Sequence, residues 1–167
     1  MKEKDLETWI YELSQTKQGR ETLLYEHDLR GILEEPMSRQ VSLGDFGIID
    51  LLSSDENCIA GYELKAKPIQ YDDITQCCRY YEALQLVQRE NNDITTVTID
   101  LIIPYSDIYN KDLFYLISQL RFLRIQQYQA LPNKILFNPE PDYFSILDGK
   151  QFDTFNFNKR LCPTNPN

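Results

Sequence analysis

Apolar residues recur at helical spacing in two stretches near the start of the chain. Residues 4 to 17 (KDLETWIYELSQTK) place Leu6, Trp9, Ile10 and Leu13 on one face, and residues 20 to 34 (RETLLYEHDLRGILE) repeat the pattern with Leu23, Leu24, Leu29, Ile32 and Leu33. Two opening helices are expected, the second ended by Pro36. From Arg39 to Lys67 the texture changes to short segments, RQVSLG, FGIIDLLSS and CIAGYELKAK, the last two joined by the polar run SSDEN. A Ser/Asp/Glu/Asn cluster between two apolar runs is a hairpin signature, so a three-strand meander is expected here. Residues 71 to 90 (YDDITQCCRYYEALQLVQRE) return to helical periodicity, with Asp72 or Asp73 near the start, where negative charge suits the helix dipole, and Asn91-Asn92-Asp93 closing it. Residues 94 to 103 (ITTVTIDLII) are rich in β-branched side chains and read as a strand; Pro104 and a helix over about residues 110 to 120 follow. The tail, with FLRIQQYQAL, NKILFNPEPDYFSIL and FDTFNFNKRLCPTNPN, reads as short strands and loops ending in a frayed terminus. Helix, helix, three strands, helix, strand, helix implies an α/β sandwich around a mixed sheet.

Bulk properties narrow the setting. A chain of 167 residues is the size of one domain and long enough to bury a core without disulfides or a structural metal. Its hydrophobic content of 42% with 26% charged residues is that of a soluble globular protein, and its apolar runs are too short to cross a bilayer. The charged N-terminus MKEKDLETWIYELSQ lacks the pattern of a secretory leader, so a cytoplasmic location is expected. Cys58, Cys77, Cys78 and Cys162 then read as reduced thiols, with no CxxC pair or nearby His to suggest zinc. The net charge of -9 excludes a generic duplex binder that tracks phosphates on a basic surface. Any contact with nucleic acid has to be local, assisted by a divalent cation or by a partner.

Charges inside the meander bring in chemistry. Asp50 interrupts the apolar run GIIDLL, and Glu63 and Lys65 follow Ile59-Ala60-Gly61-Tyr62. Strand alternation places Ile59, Gly61, Glu63, Lys65 and Lys67 on one face. Pairing across the SSDEN turn brings Asp50 beside Glu63, so two carboxylates and an ammonium share one patch. Carboxylates forced together repel, and burial adds to the cost, unless a cation lies between them. Mg²⁺, or Mn²⁺ in its place, suits that need because it takes carboxylate oxygens and keeps waters and phosphate oxygens in its other positions. Such an ion acidifies a water and stabilises charge on phosphorus, and Lys65 would hold the water or the developing negative charge.

An Asp on one strand followed by Glu-x-Lys on the next resembles the PD-(D/E)xK nuclease superfamily. The segments Glu26-His27-Asp28-Leu29, Arg39 to Leu52, Tyr62-Glu63-Leu64-Lys65 and Gln76-Cys77-Cys78-Arg79-Tyr80 are similar in order and spacing to the NucS and RecB-like branch, including its QxxxY motif, over about residues 20 to 103. The resemblance implies a restriction-endonuclease-like, three-layer α/β/α sandwich around a mixed central sheet. It implies that Asp50, Glu63 and the Leu64 backbone carbonyl bind the metal, that Lys65 is the catalytic lysine, and that Glu26 is a helical acid reaching the metal through water. Gln76 and Tyr80 would orient the site or the DNA backbone, since residues four apart share a helix face. Ile49 stands where the superfamily has Pro, and only about twenty residues precede the match, where NucS-type proteins carry a further DNA-binding domain. The implied activity is hydrolysis of DNA phosphodiesters, single-stranded or branched substrates included, in repair or defence, with a homodimer admitted.

Other residues carry weaker signals. His27 points about 100° away from Glu26 on a helix and reads as a surface or packing residue. Tyr105, Tyr109, Phe114, Tyr115, Tyr128, Tyr143 and Phe144 offer stacking surfaces for bases but also suit a core. Arg39, Lys67, Arg79, Arg121 and Arg124 could line a phosphate track or form a solvated face. The acidic charge supports a rival reading: a catalytically silent nuclease fold serving as a protein-binding or regulatory module, or a subunit of a defence or repair complex whose partner supplies DNA affinity.

Overall fold

A computed structural model of the chain describes residues 1–31, 33–90, 95–106 and 110–139. Its elements are α1 (Glu3–Ser14), α2 (Lys17–Tyr25), β1 (Ser38–Ser42), a 3-10 turn (Gly44–Phe46), β2 (Ile48–Ser54), β3 (Cys58–Leu64), α3 (Tyr71–Glu90), β4 (Thr96–Pro104), α4 (Lys111–Gln119), β5 (Leu123–Leu131) and β6 (Lys134–Phe137). The strands form one sheet in the order β1-β2-β3-β4-β5-β6. The β1-β2-β3 meander and the β5-β6 hairpin are antiparallel, whereas β3-β4 and β4-β5 are parallel and joined through α3 and α4. This is an α/β fold around a mixed sheet, as expected from the order of elements.

Each sheet face buries its own core. Leu6 and Ile10 of α1 and Leu23 of α2 pack on Leu51, Ala60, Tyr62, Leu64 and Ile102. On the other face, Ile74, Cys77 and Tyr80 of α3 and Leu113, Phe114 and Ile117 of α4 pack on Ile49, Val97, Ile99, Leu101 and Ile103. The central strands β3 and β4 are therefore covered on both sides, which accounts for their nearly continuous apolar runs. Asp55 shapes the β2-β3 turn by accepting from the backbone N–H groups of Asn57 and Cys58, both at 2.7 Å.

Two sequence expectations change. The second helix begins at Lys17, capped by Thr16, and ends at Tyr25 rather than running to residue 34. Asp28 adopts a positive φ of 58°; just before it Phe137 N–H of β6 donates to the His27 carbonyl at 2.8 Å, and just after it Arg30 N–H donates to Gln126 Oε1 of β5 at 2.9 Å. Leu29 still reaches the core, but from this strap and not from a helix, so its helical spacing was coincidental. In the tail, FLRIQQYQAL and NKILF supply β5 and β6; the segments after residue 139, with Tyr143, Phe144 and Cys162, lie outside the described residues, as do Tyr109 and the Asn91-Asn92-Asp93 helix end.

Candidate active site

The meander departs from simple alternation at Asp50. Ile49 packs in the α3 core while Leu51 packs in the α1 core, although a period of two would put both on one face. Opposite Asp50 the β1-β2 ladder skips from Arg39↔Leu51 to Val41↔Ile49, and the intervening Gln40 has a φ of 51°, in the left-handed region. Gly61 makes room for the crossing: a Cβ there would stand 2.3 Å from Ile49 Cδ1. The distortion frees the Asp50 carboxylate from the strand face. It turns to the end of β3, where Oδ2 accepts the Leu64 N–H at 2.9 Å and Oδ1 accepts from Gln40 Nε2 at 3.2 Å.

Glu63 and Lys65 close the other half of the patch. The β2-β3 ladder ends at Leu51↔Tyr62, so Asp50 and Glu63 fall one step beyond it, opposite each other. Lys65 Nζ donates to Glu63 Oε1 at 2.6 Å and to Gln76 Oε1 at 3.0 Å, with Asp73 Oδ1 at 3.7 Å. Gln76 Nε2 donates to the Tyr80 hydroxyl at 2.5 Å, and Tyr80 donates to the Ile48 carbonyl at 2.7 Å. Gly47, with φ 118°, sits where a Cβ would come within 3.2 Å of the Tyr80 ring. One chain of hydrogen bonds thus runs from Glu63 through Lys65, Gln76 and Tyr80 back to the strand that carries Asp50.

Electrostatics in the patch are unbalanced. Burial, followed by the neighbouring Asp50 carboxylate, pushes Glu63 from 4.5 up to about 7. Burial also raises Asp50 against the opposing pull of the Leu64 N–H. Burial draws Lys65 down, but the bond to Glu63 and the carboxylates of Glu63, Asp73 and Glu3 outweigh it, so its net shift is upward. Glu63 Oε2 is buried and has no hydrogen-bond partner among the described residues. Burial, and after it the Glu63 carboxylate, raises the Cys77 thiol well above its ordinary value, which disfavours a thiolate there.

The residues fit a divalent ion in a limited sense. Among the described residues no group of three or more His, Cys, Asp or Glu is arranged to hold a metal. Mg²⁺ requires less than that, one or two carboxylates with waters and substrate oxygens filling the remainder. Asp50 and Glu63 provide two, and the orphaned Glu63 Oε2 lacks the positive partner that such an ion would supply.

Glu26 takes no part in this network. It is the exposed C-cap of α2, and its Oε1 accepts from Thr22 Oγ1 at 3.4 Å. The helix stops before it because the chain turns into the strap. The helical acids that face Asp50 come instead from α1. Glu7 is 5% exposed and its Oε1 accepts from Gln40 Nε2 at 2.9 Å, so one amide links Glu7 to Asp50; Arg39 Nε holds the same oxygen at 2.7 Å. Glu3 accepts from the Ala66 N–H at 3.3 Å. Glu7 was detectable in principle as an acid inside the Leu6/Ile10 stripe. His27 is a packing residue, its Nδ1 at 2.5 Å from the Ile135 carbonyl and its ring edge-on to Trp9. Of the candidate cations, Arg124 is buried against Asp100 and Arg39 is bound to Glu7, which removes both from a free phosphate track; Lys67, Arg79 and Arg121 are exposed. Phe114 and Tyr128 are core residues, while Tyr115 is 69% exposed.

No protein-family model matches this chain, and neither curated proteins nor solved structures give a match. The resemblance drawn from the motifs therefore rests on the residues and their arrangement alone.

Proposed function

We propose that this protein is a Mg²⁺- or Mn²⁺-dependent nuclease that hydrolyses DNA phosphodiester bonds, on a restriction-endonuclease-like version of the α/β sandwich. The reading is carried by one observation: Glu63, a buried carboxylate with an unpartnered oxygen, stands beside a second carboxylate and a lysine at the end of a strand. A bound divalent ion would supply an acidified water and charge stabilisation at phosphorus. Asp50 and Glu63 would hold it, together with the Leu64 carbonyl. Lys65 is held by Gln76 and orients the attacking water or meets the charge developing on the phosphate. Tyr80 anchors Gln76, which keeps the ammonium from collapsing wholly onto Glu63.

The test is metal-dependent cleavage of single-stranded, duplex and branched DNA and of RNA by wild type, Asp50→Ala and Lys65→Ala. Cleavage of DNA by wild type that both substitutions abolish supports the reading; no cleavage, or cleavage indifferent to both, sinks it. The closed Lys65–Glu63 pair and the net charge of -9 favour one rival, a silent acidic module that binds a protein. Calorimetric titration with Mn²⁺ separates the two. A silent module takes up no ion in a manner dependent on Asp50 and Glu63.

A further inference from the structure

The sheet row that carries Lys65 continues across two more strands. Leu64 pairs with Ile102, Lys65 donates its N–H to the Ile102 carbonyl at 2.9 Å, and the next residue, Ile103, pairs with Gln127 on β5. Strands about 4.8 Å apart put Gln127 about 10 Å from Lys65 at the backbone. Ile103 belongs to the α3/α4 core, so its register partner Gln127 faces the same layer. There, between the starts of α3 and α4, a cavity of about 620 Å³ opens to solvent. Ile69, Ile103, Leu113 and Phe114 give it apolar walls, Tyr71 (55% exposed) stands at its rim, and no Lys, Arg, Asp or Glu is among the described residues that line it.

Gln127 is the anomaly in that wall. It is 6% exposed, and its backbone is satisfied by Asn138, whose Oδ1 accepts its N–H at 3.3 Å and whose N–H donates to its carbonyl at 2.6 Å. Its side-chain amide has no hydrogen-bond partner among the described residues. The amide is not one of the buried polar atoms left bare, so water in the open cavity reaches it, and a ligand there can take that water's place. An amide offers two donors and an acceptor, which match an edge that alternates acceptor and donor. Walls that are uncharged and largely apolar among the described residues disfavour a phosphate, and the volume falls within the range of sites for small organic groups. A nucleobase has the matching edge, a π face for Tyr71 and no charge.

We propose that this cavity binds one unpaired base of a single-stranded DNA whose backbone passes Lys65. This rests on the nuclease reading and extends it to the form of substrate. In a duplex the base edge is already paired and the face stacked, so the cavity selects single strands or frayed and branched ends. It also accounts for how a chain of net charge -9 holds a polyanion: the attraction lies in base contacts, which release few counterions.

Anisotropy of a labelled short single-stranded DNA, measured in EDTA so that nothing is cut, tests this. An otherwise identical oligonucleotide with abasic sites, and the duplex, should bind at least about tenfold more weakly, and added salt should matter little. Gln127→Met and Tyr71→Ala should each weaken binding of the base-bearing strand by about 5- to 100-fold. Gln127→Met keeps the volume and removes an unpartnered polar group, so its melting temperature should not fall; exposed Tyr71 provides a second variant if it does. Equal affinity for abasic and base-bearing strands, or wild-type affinity in both variants, overturns the proposal. A parallel Mg²⁺ assay keeps the two ideas apart. Base-dependent binding through Gln127 and Tyr71 without cleavage leaves the cavity standing and removes the nuclease. Cleavage that needs Asp50 and Lys65, with binding indifferent to Gln127, Tyr71 and the bases, removes the cavity alone.

Discussion

Two buried ion pairs lie on opposite faces of the same sheet, and they differ in how completely they are satisfied. Asp100 on β4 and Arg124 on β5 are register partners; Arg124 Nε donates to Asp100 Oδ1 at 2.9 Å, Nη2 donates to Oδ2, and Gln126 Nε2 adds a bond to Oδ1 at 2.9 Å. The Gln126 amide also donates to the Arg30 carbonyl at 2.6 Å and accepts its N–H at 2.9 Å, which ties the strap after α2 to the sheet. Both oxygens of that carboxylate are engaged. Glu63, by contrast, gives one oxygen to Lys65 and leaves the other buried and bare. A buried charge alone is therefore no sign of a site; an unfinished set of bonds at the mouth of a strand is a better one.

Substitution at the two pairs should break the comparison in opposite ways. Lys65→Ala is expected to lower cleavage by about 10³-fold or more while the protein stays folded, since the ammonium is half-buried at the edge and not in a core. Single-turnover cleavage beside a thermal melt checks this; parallel loss of fold and activity would make Lys65 structural. Asp100→Ala should do the reverse. It takes both carboxylate oxygens away from the buried Arg124 guanidinium and one bond away from Gln126, at a cost of about 3 to 5 kcal/mol in urea denaturation, with cleavage by the folded fraction unchanged.

How much of this was legible in the sequence follows the range of the forces involved. The meander, α3 and the shared face of Glu63 and Lys65 were readable because alternation and turn chemistry are local. Gln76 and Tyr80 were readable because four residues make one helical turn. The end of α2 was not: Leu29 and Leu33 fit a helical stripe, yet the backbone turns at Asp28 and bonds to β6, more than a hundred residues away. Glu7 was missed for the same reason, since what makes its burial tolerable is Arg39 and Gln40 on a strand more than thirty residues on. The kink at Asp50 depends on an absent side chain at Gly61 on the neighbouring strand, which a one-dimensional period does not register.

The unfinished bonds at Glu63 should also be visible in pH dependence. Its folded value of about 7 lies above the ordinary 4.5, so between those pH values the folded protein keeps a proton that the unfolded chain has released. Stability is then fullest below about pH 4.5 as far as this group is concerned, and falls as pH rises through about 7, by about 3 kcal/mol in all. The upward shift of Asp50 acts in the same direction. Denaturation in EDTA across this range should show the decline, Glu63→Gln should flatten it, and Mn²⁺ at pH 8 should reverse part of it in wild type only. A flat wild-type profile would mean that water or rearrangement satisfies Glu63.

The smallest effect is expected on the other face. Thr98 is fully buried beside Ala60, and its Oγ1, like Glu63 Oε2, has no partner among the described residues. Unlike Glu63, it is neutral and sits mid-strand, away from the strand ends where the carboxylates gather. Thr98→Val keeps the shape and removes the orphaned hydroxyl, so stability should hold or rise by up to about 1 kcal/mol, with oligonucleotide binding and cleavage unaltered. A drop of more than that in denaturant midpoint would mean that the hydroxyl is bonded after all. A loss of cleavage without a loss of fold would move the functional boundary to this side of the sheet, because a bare buried oxygen would then mark a working residue on both faces.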